Sequence, residues 1–112
     1  MLKEDKNRIL AKLDEMDKYV KELAEILPEE EEYLKEIIKK RACEKTAELA
    51  IEALIDVCSM IVSSQKLGVP SDEDNIFDIL MKKKVITGSL NKKLKQMKGF
   101  RNIIVHRYGD VD

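Results

Sequence analysis

The stretch from Pro28 to Leu67 most limits what this chain can fold into. No glycine and no further proline interrupts it before Gly68-Val69-Pro70. Pro28 suits the first turn of a helix, where its missing N–H is not needed. Glu29 to Glu32 follow, where negative charge complements the helix dipole. Gly68 with Pro70 is a stop signal. From Leu49 to Val62 the apolar residues Leu49, Ile51, Leu54, Ile55, Val57, Met60, Ile61 and Val62 cover most of the helical circumference. A helix apolar nearly all round is buried on several sides. The chain is therefore expected to build around a long central second helix over 28–67, with part of its surface facing another subunit.

The flanking segments read as partners for that helix. Leu2, Ile9, Leu13, Met16, Val20, Leu23 and Leu27 recur at helical spacing and predict a first helix over 2–27. Ser71-Asp72-Glu73-Asp74-Asn75 is a polar loop of helix-cap residues. A short third helix is expected over 75–84, with Ile76, Ile79 and Leu80 inward. Val85 to Gly88 connect it to a fourth helix, capped by Ser89 and running to Tyr108. Its inward positions are Leu90, Leu94, Met97, Arg101, Ile104 and Tyr108. The expected architecture is an all-α antiparallel helical bundle in a single domain over 1–112. Four glycines, two prolines, five aromatics and no tryptophan fit helices better than a β-sandwich.

No apolar run approaches the roughly 18 residues that span a bilayer, and Met1 to Lys6 lack the apolar core of a signal peptide. No membrane association and a cytoplasmic location are expected. Cys43 and Cys58 fall fifteen residues apart in one helix. That is about 22 Å, far beyond disulfide reach. With one histidine and no close cysteine pair there is no zinc site of ordinary spacing, and no cofactor is indicated.

The net charge of −1 hides an asymmetry. Between Ile79 and Gly109 there is no Asp or Glu, but there are nine basic residues: Lys82, Lys83, Lys84, Lys92, Lys93, Lys95, Lys98, Arg101 and Arg107. Such a block is either an electrostatic footprint for phosphate or an acidic partner, or a helix face balanced by the acidic face of a neighbour. Inside it lies Arg101-Asn102-Ile103-Ile104-Val105-His106-Arg107-Tyr108, which holds the chain's only histidine. Arg101 occupies a seam position and needs a carboxylate partner or a cleft to line. His106 lies five residues on, about 140° round a regular helix, so one protomer does not assemble both groups on one face. Asn102 and His106 do share a face. A two-fold dimer would bring paired His106 and Arg101 side chains to one cleft. That set suits RNA cleavage: an imidazole takes the ribose 2′-hydroxyl proton, a second acid protonates the leaving 5′-oxygen, and arginine stabilises the charge on phosphorus. The other reading of a lone histidine near a helix end is a structural or surface residue.

The run Gly99-Phe100-Arg101-Asn102-Ile103-Ile104-Val105-His106-Arg107-Tyr108, followed by Asp110-Val111-Asp112, resembles the HepT-type branch of the HEPN superfamily. Its signature is Arg, four residues, His, one residue, Tyr, with a polar residue after the Arg. Arg41 to Lys45 through Ile61, Gly68-Val69-Pro70 and Lys84-Val85-Ile86 resemble the same family, so the likeness covers most of the chain from Arg41 onward. It implies a homodimer with the motif at a cleft between protomers. It also implies a metal-independent endoribonuclease toxin of a type II-like or type VII toxin–antitoxin pair. Arg101 and His106 would be the catalytic pair and Asn102 their polar support. Lys92, Lys93, Lys95, Lys98 and Arg107 are the candidates to meet RNA phosphates. The resemblance further implies a nucleotidyltransferase-type antitoxin encoded nearby, which silences the toxin by adenylylating Tyr108. Family members usually continue with another helix where this sequence stops at Asp112.

Two other readings stand beside this one: a non-catalytic HEPN subunit that binds nucleotide or substrate for a nucleotidyltransferase, and a helical dimerisation module. Gly88-Ser89 with Asp110-Val111-Asp112 echoes the nucleotidyltransferase signature itself. That signature needs a β-sheet scaffold, and the residues between are helical and basic, so this assignment is rejected.

Overall fold

The computed structural model describes residues 3–26 and 37–109, with side chains through His106. Four helices make up the described chain: α1 (Lys3–Ile26), α2 (Ile37–Ser64), α3 (Glu73–Lys82) and α4 (Gly88–Gly109). The expected all-α bundle around a long second helix is what forms. Leu2, Leu27, Pro28 and Glu29 to Glu32 lie outside the described residues. None of the described helices is long and apolar enough to cross a membrane.

The core forms where α2, α3 and α4 meet. Ile51, Ile55, Cys58 and Val62 of α2 pack with Ile76, Phe77 and Leu80 of α3 and Leu94 of α4. Phe77 is wholly buried, and Leu80 and Val62 nearly so. α1 lies antiparallel on α2: Lys12 pairs with Asp56 at 3.4 Å, and Cys43 Sγ sits 3.8 Å from the carbonyl of Ile26. Ile9 is its buried anchor, and α2 is the one helix it packs against among those described. Both cysteines are buried and free. Burial pushes the Cys58 thiol up to about 11, as expected of a packing residue.

Helix ends depart from the sequence reading by one to three residues, each for a local reason. α2 stops at Ser64, before the expected Gly68. Lys66 adopts a left-handed conformation (φ 52°), its N–H bonds the Ser63 carbonyl, and the N–H of Leu67 bonds that of Val62. This is a Schellman ending with lysine where glycine is usual. α3 closes the same way at Lys84 (φ 62°), with Lys84 N–H on Met81 and Val85 N–H on Leu80. α3 starts at Glu73 because Asp72 caps it, accepting from the Asn75 N–H at 2.8 Å. α4 is capped by Thr87, whose Oγ1 accepts from the Leu90 N–H at 3.1 Å, and not by Ser89.

An acidic face of α3 meets a basic face of α4. Asp78 pairs with Lys95 at 2.7 Å, Asp74 with Lys98 at 2.8 Å and Glu73 with Arg101 at 2.6 Å. The numbers run in opposite directions, so the two helices are antiparallel. Asn91, almost fully buried, adds a bond from Nδ2 to Asp78 at 3.0 Å. This ladder sets the rotation of α4 and corrects the expected seam. Leu94 and Ile104 are buried as predicted, but Leu90 and Met97 turn outward, and Asn91 and Lys98 face inward in their place.

Glycine tolerates the left-handed region without the Cβ clash that lysine carries. Lys66→Gly and Lys84→Gly should each raise stability by about 0.5–1 kcal/mol in urea unfolding, whereas Lys66→Val should lower it. The ladder also has a pH signature. The bond from Asn91 and then the Lys95 ammonium hold the Asp78 carboxyl below its ordinary range. Its contribution is therefore present above an unfolded pKa of about 3.9 and lost as pH falls through the lower folded value. Acid titration of unfolding free energy should show a shallower decline below about pH 4 in Asp78→Asn than in the wild type.

Candidate functional site

The motif residues all lie on the last two turns and a half of α4, but the structure treats them differently. Arg101 is drawn inward, its side chain only 14% exposed. Nη2 and Nη1 donate to Glu73 Oε1 and Oε2 at 2.6 and 3.1 Å, a bidentate pair across the α3–α4 contact. Nε and Nη2 also donate to Asn102 Oδ1 at 3.3 and 2.8 Å. A guanidinium has five N–H donors, and four are thus engaged. The Glu73 carboxylate, followed by the charges of Glu52 and Glu48 on α2, holds the Arg101 pKa above its ordinary value, so it is a fixed cation.

His106 is exposed, on a different side of the helix from the inward-turned Arg101. The divergence inferred from five helical steps holds in the protomer. Asn102 is half-buried with its amide turned to Arg101. It supports the arginine directly rather than reaching toward His106. Arg107 and Tyr108 continue the helical backbone; their side chains lie outside the described residues.

The basic block divides into two sets. Lys92 and Lys93 are exposed on α4, as are Lys82, Lys83 and Lys84 at the end of α3. Lys95, Lys98 and Arg101 are each matched to a carboxylate of α3. The reading of a helix face balanced by an acidic neighbour therefore holds for Lys95, Lys98 and Arg101, while the exposed lysines have only solvent before them among the described residues.

Glu73 is the residue that sequence reasoning passed over. It lies in the run Ser71 to Asn75, whose residue types suit a capping loop, while a seam position makes Arg101 need a carboxylate. Only the antiparallel crossing of α3 and α4 joins the two. Close to the motif, Leu90, Met97, Phe100 and Ile103 leave an apolar strip on α4; Ile103 is 65% exposed and Phe100 50%. Beside Val105, Arg41, Lys45 and Glu48 of α2 line a shallow hollow. Among the described residues no three His, Cys, Asp or Glu side chains gather at a spacing that could hold a metal ion.

Similar proteins share the fold. Over 61 residues the chain is 39% identical to the mRNA nuclease HepT of Shewanella oneidensis, a match covering 54% of this chain and 46% of that protein. It is 30% identical over 82 residues to the tRNA nuclease HepT of Aphanizomenon flos-aquae, covering 73% and 56%. The chain thus spans about half the length of the curated relatives it matches. Among solved structures, the tri-AMPylated Shewanella oneidensis HEPN toxin in complex with MNT antitoxin superposes with a TM-score of 0.84 at 26% identity, over 93% of this chain and 78% of that one. A toxin–antitoxin complex with AMP-PNP superposes at 0.82 and 26% identity, over 88% and 74%. The family model described as Ribonuclease HepT-like matches residues 16–112, all of α2, α3 and α4 with the motif, and the chain belongs to that family.

Proposed function

We propose that this chain is a metal-independent endoribonuclease toxin of a type II-like or type VII toxin–antitoxin pair, acting as a homodimer. The observation that carries the reading is family membership joined to a complete motif, Arg101, Asn102, His106 and Tyr108, on one helix. The relatives named above as mRNA and tRNA nucleases support an RNA substrate.

The chemistry follows from the residue types. His106 accepts the proton of a ribose 2′-hydroxyl, the 2′-oxygen attacks the adjacent phosphorus, and the bond from phosphorus to the 5′-oxygen breaks. A second acid protonates the departing 5′-oxygen. Arg101 stabilises the charge that gathers on phosphorus, and Asn102 fixes its guanidinium. The second acid comes from another copy of the chain. Ile103 lies about 60° from His106 round the helix. A second protomer laid over Phe100 and Ile103 would cover the apolar strip and bring two His106 side chains toward one cleft. Lys92, Lys93 and Arg107 offer phosphate contacts, and Lys95 and Lys98 add to them from within their ion pairs.

Regulation is proposed at Tyr108. A nucleotidyltransferase-type antitoxin encoded nearby transfers adenylyl groups to the phenol, and phosphate placed beside an RNA cleft blocks it by charge and bulk. The tri-AMPylated state of the Shewanella oneidensis toxin supports this. One observation favours a second reading, a non-catalytic nucleotide- or substrate-binding subunit: the Arg101 guanidinium is already committed to Glu73 and Asn102.

His106→Ala separates the two. Exposed as it is, the residue should cost no more than about 0.5 kcal/mol of stability on replacement. Cleavage of labelled RNA should fall by about 10²-fold or more, and growth arrest on expression should disappear. Intact RNA with the wild-type protein, together with harmless expression in the absence of any partner, would establish the non-catalytic reading instead. For Tyr108, intact mass after co-expression with the neighbouring gene product should show adenylyl increments that vanish in Tyr108→Phe. An unmodified mass in a stable complex would replace adenylylation by sequestration.

A further inference from the structure

We infer that Glu73 is an internal competitor for the motif arginine: an RNA phosphate engages Arg101 only by taking the place of the Glu73 carboxylate. The inference rests on the proposed RNA site and specifies how that site is held before RNA arrives.

Bidentate pairing with a carboxylate uses the same N–H fork that binds a phosphate. In this chain Glu73 already occupies the fork, at 2.6 and 3.1 Å. Asn102 takes two more N–H groups, which leaves a single donor on Nη1. A phosphate cannot make a second bond to the guanidinium while both partners stay in place. Charge argues the same way. Around Arg101 stand Glu73 in contact and Glu48 and Glu52 within electrostatic range. Lys45 pairs with Glu48 at 2.9 Å, so Glu73 in contact and Glu52 beyond it are the carboxylate charges that act most directly on the guanidinium. A phosphate approaching this place meets repulsion until Glu73 withdraws.

Withdrawal is open to Glu73. It is the first residue of α3, and its side chain is 37% exposed against 14% for Arg101. Its carboxylate can turn into water while Asp72 keeps the helix capped. The ladder keeps α3 and α4 joined through Asp74–Lys98 and Asp78–Lys95 when this one rung opens. Arg101 is thus held in a neutral pair, which weakens binding of RNA in its ground state. The full charge is available only to a ligand that offers a better-placed anion, which is the differential binding that favours turnover over simple retention.

The test uses the full chain and a fluorescent 2′-O-methyl RNA oligomer, which binds but lacks the attacking hydroxyl. Affinity is measured by anisotropy over a salt series. Glu73→Gln should bind roughly two- to fivefold more tightly than the wild type, the scale of one partly screened charge pair. The slope of log affinity against log salt should steepen by about 0.7, as one more phosphate contact forms on a single strand. Both changes should vanish when Arg101→Ala is added. Glu73→Asp keeps the charge on a shorter arm and should fall between the two, which covers the case of a poorly folded Gln variant. A residue that merely joined α3 to α4 would lower thermal stability without tightening binding or steepening the slope. Unchanged or weaker binding by folded Glu73→Gln or Glu73→Asp therefore overturns the inference. If the wild type binds and cleaves RNA in that case, the inference alone falls. If neither wild type nor variants bind the oligomer, the RNA site falls with it.

Discussion

The rotation of α4 decides which faces of the motif meet protein and which meet solvent, and the charge ladder to α3 sets that rotation. Three cations of α4 meet three carboxylates of α3 in antiparallel order. Surface ion pairs singly contribute little to stability. Their joint effect here is on geometry. The same helix carries a competing apolar stripe through Leu90, Met97, Phe100 and Ile103, and burying that stripe would turn α4 away from α3's carboxylates. The chain instead buries Leu94 and Ile104 along the charged seam and leaves the rest of the apolar strip outside. An unpaired Arg101 or Asp74 against the core would cost more than a half-exposed Met97 or Phe100. His106 is turned outward as a consequence of the choice made at Asn91, Lys95, Lys98 and Arg101.

Periodicity made the four helices and their order legible, along with the depth of α2 and the free cysteines. Those properties depend on many residues agreeing at once, and single exceptions do not disturb them. What stayed hidden depended on one residue or on a crossing. Nothing in the letters marks Lys66 or Lys84 as left-handed, because lysine takes that conformation only when the surrounding turn imposes it. Thr87 and Ser89 are both cap residues by type, with serine the more usual, and the bond from the Leu90 N–H chooses Thr87.

The site was legible to the same degree. The need of Arg101 for a carboxylate follows from burial chemistry alone, and its divergence from His106 follows from the helical repeat. Which carboxylate answers the need is a matter of tertiary geometry. Glu73 stands far from Arg101 in sequence and reaches it only because the Lys84 turn folds α4 back along α3. The basic block shows the limit plainly. Nine cations in an acid-free segment leave two readings open, and only the fold shows that Lys95, Lys98 and Arg101 are partnered from outside the segment while Lys92 and Lys93 remain exposed.

α1 packs on α2 and on no other described helix. In a cooperative fold this divides the molecule into two layers of unequal commitment. The layer of α2, α3 and α4 contains the shared core and every described motif side chain. α1 is a cover anchored by Ile9 and by surface ion pairs such as Lys12–Asp56. Its departure would remove a wall from α2 but would break no rung of the ladder and displace no partner of Arg101. Among the described residues, the helices that carry the motif meet α1 across α2, so sequence change or partial opening in α1 reaches the described motif side chains chiefly along the length of α2.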